Sequence, residues 1–191
     1  PADGGRDVAR FAAFLLRRTA LTVVVEPLQR GAERLESDGV LAQWLQIYAM
    51  QFDLVRMVLA SMREVFPNLA VYSFHHGDLI VLASPAPLPP LDPAALDERL
   101  QGWGVAAQVG EVLGIEGGAG LLGFYLLGDE ETARLAAGAA LNTEDRPRLE
   151  FAAPRSLYLP TRDANARALR AAQVRPLPPL APGHPLHGSE W

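Results

Sequence analysis

Between Leu35 and Ser84 the spacing of apolar positions changes character three times, and each change marks an element. After the polar turn Glu36-Ser37-Asp38-Gly39, the run Val40-Leu41-Ala42-Gln43-Trp44-Leu45 predicts a short strand buried on both faces. Val55, Val58, Leu59, Met62 and Val65 then recur at helical spacing, with Asp53, Arg56, Arg63 and Glu64 between them, until Pro67 blocks continuation. Two β runs follow, Ala70-Val71-Tyr72-Ser73-Phe74 and Leu79-Ile80-Val81-Leu82-Ala83, joined by the turn-like His75-His76-Gly77-Asp78.

Upstream, Val8, Phe11, Ala12 and Leu15 share one face of a helix expected over Asp7 to Arg18. Leu21-Thr22-Val23-Val24-Val25 predicts a strand that ends at Glu26-Pro27. In open α/β sheets ligands bind beyond the carboxyl ends of strands, which marks Glu26 as a candidate. Downstream, Pro85-Ala86-Pro87-Leu88-Pro89-Pro90 is a stiff connector. Helices are expected over Asp92 to Leu100 and Asp129 to Ala137, the latter with Asp129 as N-cap and Gly138 as stop. Between them Gly117-Gly118-Ala119-Gly120 precedes Leu121 to Leu127, an apolar run predicted as a short buried helix. The division that follows is an α/β domain over 1–84, a connector over 85–91, a helical C-terminal extension over 92–158 and a tail over 159–191, extended or disordered from 175.

Composition narrows the function classes. The 191-residue chain is 49% hydrophobic, enough for a packed core. A net charge of −5 argues against broad binding to nucleic acid or an anionic membrane. The sequence contains neither lysine nor cysteine. Schiff-base chemistry, P-loop phosphate binding through lysine, thiol catalysis and cysteine-ligated zinc are therefore excluded. Phe11 to Leu16 is too short to span a bilayer, and a soluble, cytoplasmic chain is expected.

At Asp38-Gly39-Val40-Leu41-Ala42-Gln43-Trp44-Leu45-Gln46-Ile47-Tyr48, then Val65-Phe66-Pro67, then Asp78 to Ser84, the chain resembles the C-terminal half of bacterial spermidine synthase-like proteins. Leu141-Asn142-Thr143-Glu144-Asp145-Arg146-Pro147-Arg148-Leu149-Glu150-Phe151, continuing to Arg155, resembles the segment that closes many of them. The resemblance implies the end of a Rossmann-like, class I methyltransferase-type sheet, with its terminal antiparallel hairpin and a helical C-terminal extension. It also implies transfer of an aminopropyl group from decarboxylated S-adenosylmethionine, or use of S-adenosylmethionine, with a polyamine as acceptor. The glycine-rich cofactor loop of the family has no counterpart ahead of Leu21, so the expectation is a remnant that binds no cofactor alone. Glu26 would stand where the family has a catalytic aspartate, one methylene longer than a positioned base tolerates.

Each candidate also has a plainer reading. Glu26 is either the general base or a carboxylate that caps the next turn or pairs with Arg30. Gln43, Trp44 and Tyr48 either line a substrate crevice or pack. His75 and His76 are adjacent and suit a solvated hairpin tip, and His184 and His187 have no acidic or cysteine residue beside them in the tail that could complete a ligand set, so no metal site is expected. Asn142 to Pro147 suits a latch that ties the C-terminal segment back onto the sheet. Three functions compete: an aminopropyltransferase-like enzyme part; a non-catalytic module whose exposed sheet edge, on the Leu21 to Val25 side, pairs with a second copy or a partner chain; and a piece of a longer polypeptide.

Overall fold

The computed structural model describes residues 23–74 and 77–184. In chain order the elements are α1 (Val25–Ala32), β1 (Leu41–Gln46), α2 (Phe52–Arg63), β2 (Asn68–Ser73), β3 (Asp78–Ser84), α3 (Pro93–Gly102), α4 (Ala106–Leu113), α5 (Gly117–Leu122), β4 (Tyr125–Leu127), α6 (Asp129–Ala136), α7 (Arg148–Ala152), a 3-10 turn (Ala153–Ser156) and α8 (Arg162–Ala172). The described residues fall into a sheet unit, 23–88 with 126–174, and a helical unit, 89–125 with 175–184.

The sheet unit is α/β, with four strands in the order β1-β3-β2-β4. β1 pairs with β3 antiparallel, from Leu41 opposite Ala83 to Gln46 opposite Asp78. β2 flanks β3 antiparallel on its other side, from Asn68 opposite Ser84 to Ser73 opposite Leu79. β1 and β2 therefore run parallel, and a parallel pair needs a crossover, which α2 supplies. The turn after β2 then returns β3 into the gap.

Alternation along the strands puts Leu45, Leu69, Val71, Leu79, Val81 and Ala83 on one face, and all six are buried. α2 buries an unbroken run from Met57 to Met62, wider than the single apolar stripe that its sequence period suggests. Its second side is occupied: α1, α6 and α7 all pack on it. Arg63 extends from its last turn to the Asp129 carboxylate at 2.6 Å, and Arg56 donates to the carbonyls of Leu135 and Ala137, so α6 is fastened at both ends.

The segment from Asn142 to Pro147 is a latch, though its anchor is different from the one expected. Asn142 donates its side-chain amide to the Val23 carbonyl at 2.9 Å and accepts from the Leu149 amide at 3.0 Å. Its backbone N–H meets Ser61 Oγ, and its carbonyl accepts from Val25. The segment is thus tied to the entry of α1 and to α2, with no bond to a strand.

Several expectations change. The helix over Asp7 to Arg18, the start of the Leu21 strand and the His75-His76 tip lie outside the described residues. In the described part of the Leu21–Val25 run there is no strand: Val24 is extended and unpaired in the sheet, and Val25 already begins α1. Burial of all three valines satisfies their β-branched, apolar character without a ladder. Among the described residues one sheet edge consequently falls on β1, which pairs on one side only and is half-buried along most of its length. Leu121 to Leu127 is divided: the glycines begin α5, and Tyr125 to Leu127 form β4. Gly118 permits this, since a Cβ there would collide with the Pro93 carbonyl of α3. Gly128 takes the N-cap position of α6, while Asp129 accepts from the Leu69 amide of β2. The tail from 159 begins with α8, whose alanine, arginine and leucine content favours a helix.

In the helical unit α3 starts with Pro93 at its first position, as the helix expected over Asp92 to Leu100 requires, and Asp92 stands outside it as the cap, accepting from the Ala94 amide at 2.9 Å. Leu91 and Leu180 form a parallel bridge, so the extended stretch after 175 is anchored. Among the described residues no helix is long and apolar enough to cross a membrane.

Replacing Asn142 by alanine leaves the Val23 carbonyl and the Leu149 amide buried and unpaired. An Asn142→Ala chain is expected to lose about 3 kcal/mol in urea unfolding. Glu144→Ala, which removes an ion pair to Arg30 that is more than half exposed on both partners, is expected to lose under about 1 kcal/mol.

Candidate functional site

Because β1 and β2 are parallel, their carboxyl ends lie at the same end of the sheet, where β3 begins with Asp78. Trp44 and Gln46 share one face of β1, and Gln43 is on the other. Trp44 stands opposite Ile80, two residues from Asp78, within diagonal reach across an antiparallel pair. Its indole Nε1 donates to Asp78 Oδ1 at 3.2 Å. The Tyr48 phenol, two residues beyond the end of β1, lies close enough to the same carboxylate to feel its charge.

Local backbone holds that arrangement. Ile47 donates to the Gly77 carbonyl at 2.9 Å, fixing the start of the loop against the β2–β3 turn. Asn165 of α8, itself 2% exposed, donates to the carbonyls of Ile47 at 2.8 Å and Met50 at 2.7 Å. Thr161 accepts from the Met50 amide at 3.1 Å. Between these clamps Ala49 has φ of 52°, a left-handed conformation that costs an alanine roughly 1 kcal/mol and survives because its neighbours leave no alternative. Gly77 has φ of 99°, and a Cβ there would press on Arg162 and Ile47. Tyr48 is thus an exposed side chain, 37% accessible, on a stiff and strained support.

Burial raises the Tyr48 pKa first, and the Asp78 charge raises it further. With the neutral Trp44 indole as its donor, the Asp78 carboxylate keeps lone pairs for a cation. The flanking indole and phenol rings add faces that attract one, worth about 0.5–2 kcal/mol each depending on exposure. The chemistry this arrangement offers is recognition of an ammonium or guanidinium group.

Of the residues singled out in the sequence, Trp44 and Tyr48 therefore meet. Gln43 does not join them; its Nε2 donates to the Trp44 carbonyl at 2.7 Å. Glu26 is not at a strand end. It lies in the first turn of α1, where its carboxylate accepts from the Glu144 amide at 3.0 Å and suits the positive end of the helix dipole. Arg30 pairs with Glu144 at 2.7 Å, not with Glu26. Glu26 shares no hydrogen-bond partner with the Trp44 cluster.

Asp78, Ala49, Thr161 and Asn165 were not singled out. Asp78 read as a turn residue, although its place at the head of a strand next to β1 was a usable signal once the pairing was known. Nothing local marks Asn165, which acts across 118 positions of sequence.

Comparison with protein-family models, with curated proteins and with solved structures finds no match.

Asp78→Asn removes the charge beside Tyr48 and is expected to lower its pKa toward the ordinary tyrosine value of about 10, read by ultraviolet titration against a Tyr48→Phe control. The sign follows from a raised folded-state pKa. The tyrosine's contribution is intact below the ordinary value and is lost as pH climbs through the folded one, so the alkaline loss of stability should be smaller in Asp78→Asn. Ala49→Gly relieves the left-handed strain while freeing the unfolded backbone, and is expected to leave unfolding free energy within about 1 kcal/mol of the parent.

Proposed function

We propose that this chain is a spermidine synthase-like module of Rossmann-like descent that holds a polyamine, or a related alkylammonium ligand, at Trp44, Tyr48 and Asp78, and that it carries out no group transfer alone. The observation that carries the reading is that the Trp44 indole is bonded to one half-buried carboxylate, with the Tyr48 phenol beside it, at the carboxyl ends of two parallel strands. The strand–helix–strand crossover with its antiparallel return strand suits the descent inferred from the sequence. Aminopropyl or methyl transfer needs decarboxylated S-adenosylmethionine or S-adenosylmethionine. Among the described residues the glycine cluster at Gly117–Gly120 belongs to α5 and opens no sheet, and Glu26 is engaged by a backbone amide, so neither supports a cofactor loop or a free base here.

A second reading rests on β1. It is one of the two outer strands of the sheet among the described residues, with Val40 at its entrance 44% exposed, and such an edge can add a strand from a second copy or from a partner chain.

Calorimetric titration with spermidine is expected to give saturable binding that weakens at least about tenfold in Asp78→Asn, the change matching loss of the carboxylate and its cation. Equal heats from the parent and the variant would sink the amine-binding reading. Methylthioadenosine is expected to give no heat. For the second reading, sedimentation should reveal association at micromolar concentration; a clean monomer speaks against it.

A further inference from the structure

A surface remote in sequence from Trp44 and Asp78 has no place in that reading. From Arg148 to Ser156 the chain is helical almost without interruption, first as α7 and then as the 3-10 turn. Leu149, Ala153 and Ser156 recur at helical spacing and are buried. Arg148, Phe151 and Arg155 recur at the same spacing on the opposite side and are exposed, with Phe151 71% accessible. Directly after it come Leu157, Tyr158 and Leu159, at 57%, 92% and 44%, followed by the exposed Pro160. A soluble surface exposes single apolar residues freely, but four large ones within nine positions form a patch that calls for an explanation.

The charges around the patch are segregated. Arg148 to Ala172 carries five arginines, at 148, 155, 162, 167 and 170, against Glu150 and Asp163, a balance of 5 − 2 = +3 in a chain of net −5. All five arginines are exposed. Arg162 pairs with Asp163 at 2.8 Å, Arg167 adds a longer-range attraction to the same carboxylate, and Arg148, Arg155 and Arg170 make no ion pair among the described residues. Glu150 is half-buried. The net charge of the whole chain, which argues against broad binding to nucleic acid or an anionic membrane, hides a local excess of the opposite sign.

We propose that Phe151 and Leu157-Tyr158-Leu159, with Arg148 and Arg155 beside them in the sequence and Arg167 and Arg170 exposed on the helix that follows, form a peripheral docking tip for an anionic lipid surface. Three successive exposed side chains make a projection, and a projection enters a fluid interface without a shaped counterpart. Leucines reach the acyl boundary, tyrosine suits the headgroup level, and arginines meet lipid phosphates. A nucleic acid fits the same charges less well, because the leucines offer bases no π face on which to stack.

The test is flotation of the full chain with vesicles of phosphatidylcholine alone or mixed with phosphatidylglycerol. Binding is expected to the mixed vesicles only, released by 0.5 M salt, on the order of the ionic strength at which surface charges are screened within a few Å. The triple change Leu157→Ser, Tyr158→Ser and Leu159→Ser, on exposed positions, is expected to abolish it. Arg148→Gln with Arg155→Gln is expected to weaken it by at least about tenfold. Tyr158→Trp should show quenching by brominated lipid in the mixed vesicles. The proposal is overturned if the mixed vesicles are not bound, or if the triple variant binds them as the parent does. Salt-sensitive association with polyglutamate in place of vesicles also overturns it, assigning the tip to an acidic polypeptide.

Discussion

The Asn142 side chain has no accessible surface, and it spends both ends of its amide on backbone groups that are distant in sequence, Val23 and Leu149. An amide taken from water in this way is unfavourable unless every polar atom is met, so the bonds must form together or not at all. Their combined effect is to fix three segments at one point: the entry to α1, the last turn of α2 through Ser61, and the start of α7. α2 can be apolar nearly all round only because those segments are held against the side that the sheet does not cover. The layer order of the unit follows from one satisfied asparagine.

Asn165 repeats the device at the carboxyl ends of the strands. There the backbone held is irregular, and the bonds to Ile47 and Met50 hold Ala49 in a conformation that an alanine avoids when free. The chain is most tightly specified where its side chains are most exposed, at Tyr48. Such a combination suits recognition, because a ligand meets a site already ordered and the cost of ordering falls on folding.

The elements from β1 to β3 were legible in the sequence because each is long enough to show its period, and each is bounded by a turn or proline. Leu21 to Val25 misled because burial, not a ladder, is what its valines satisfy. Leu121 to Leu127 misled because seven apolar residues have no period of their own, and Gly118 decides the matter through contact with Pro93 in another helix. Trp44 and Tyr48 were legible as candidates from their position at a strand end. Their partner Asp78 was not, because only the insertion of β3 beside β1 brings it there. The local excess of arginine between Arg148 and Ala172 was not legible in the net charge, because a sum over 191 residues carries no information about which arginines stand in one stretch.

That insertion also sets an order of events. β1 and β2 are first and second in the chain, yet neither touches the other in the sheet, since β3 separates them. While the chain is being made, a nascent β1 has no strand to pair with until Ser84 has been added, and α2 must bridge two strands that share no ladder. The sheet therefore closes from its centre outward once its third strand arrives. A block on the turn after β2 would leave the two flanking strands as open edges together, so the span from Leu41 to Ser84 is the portion of this chain most exposed to mispairing before it is complete.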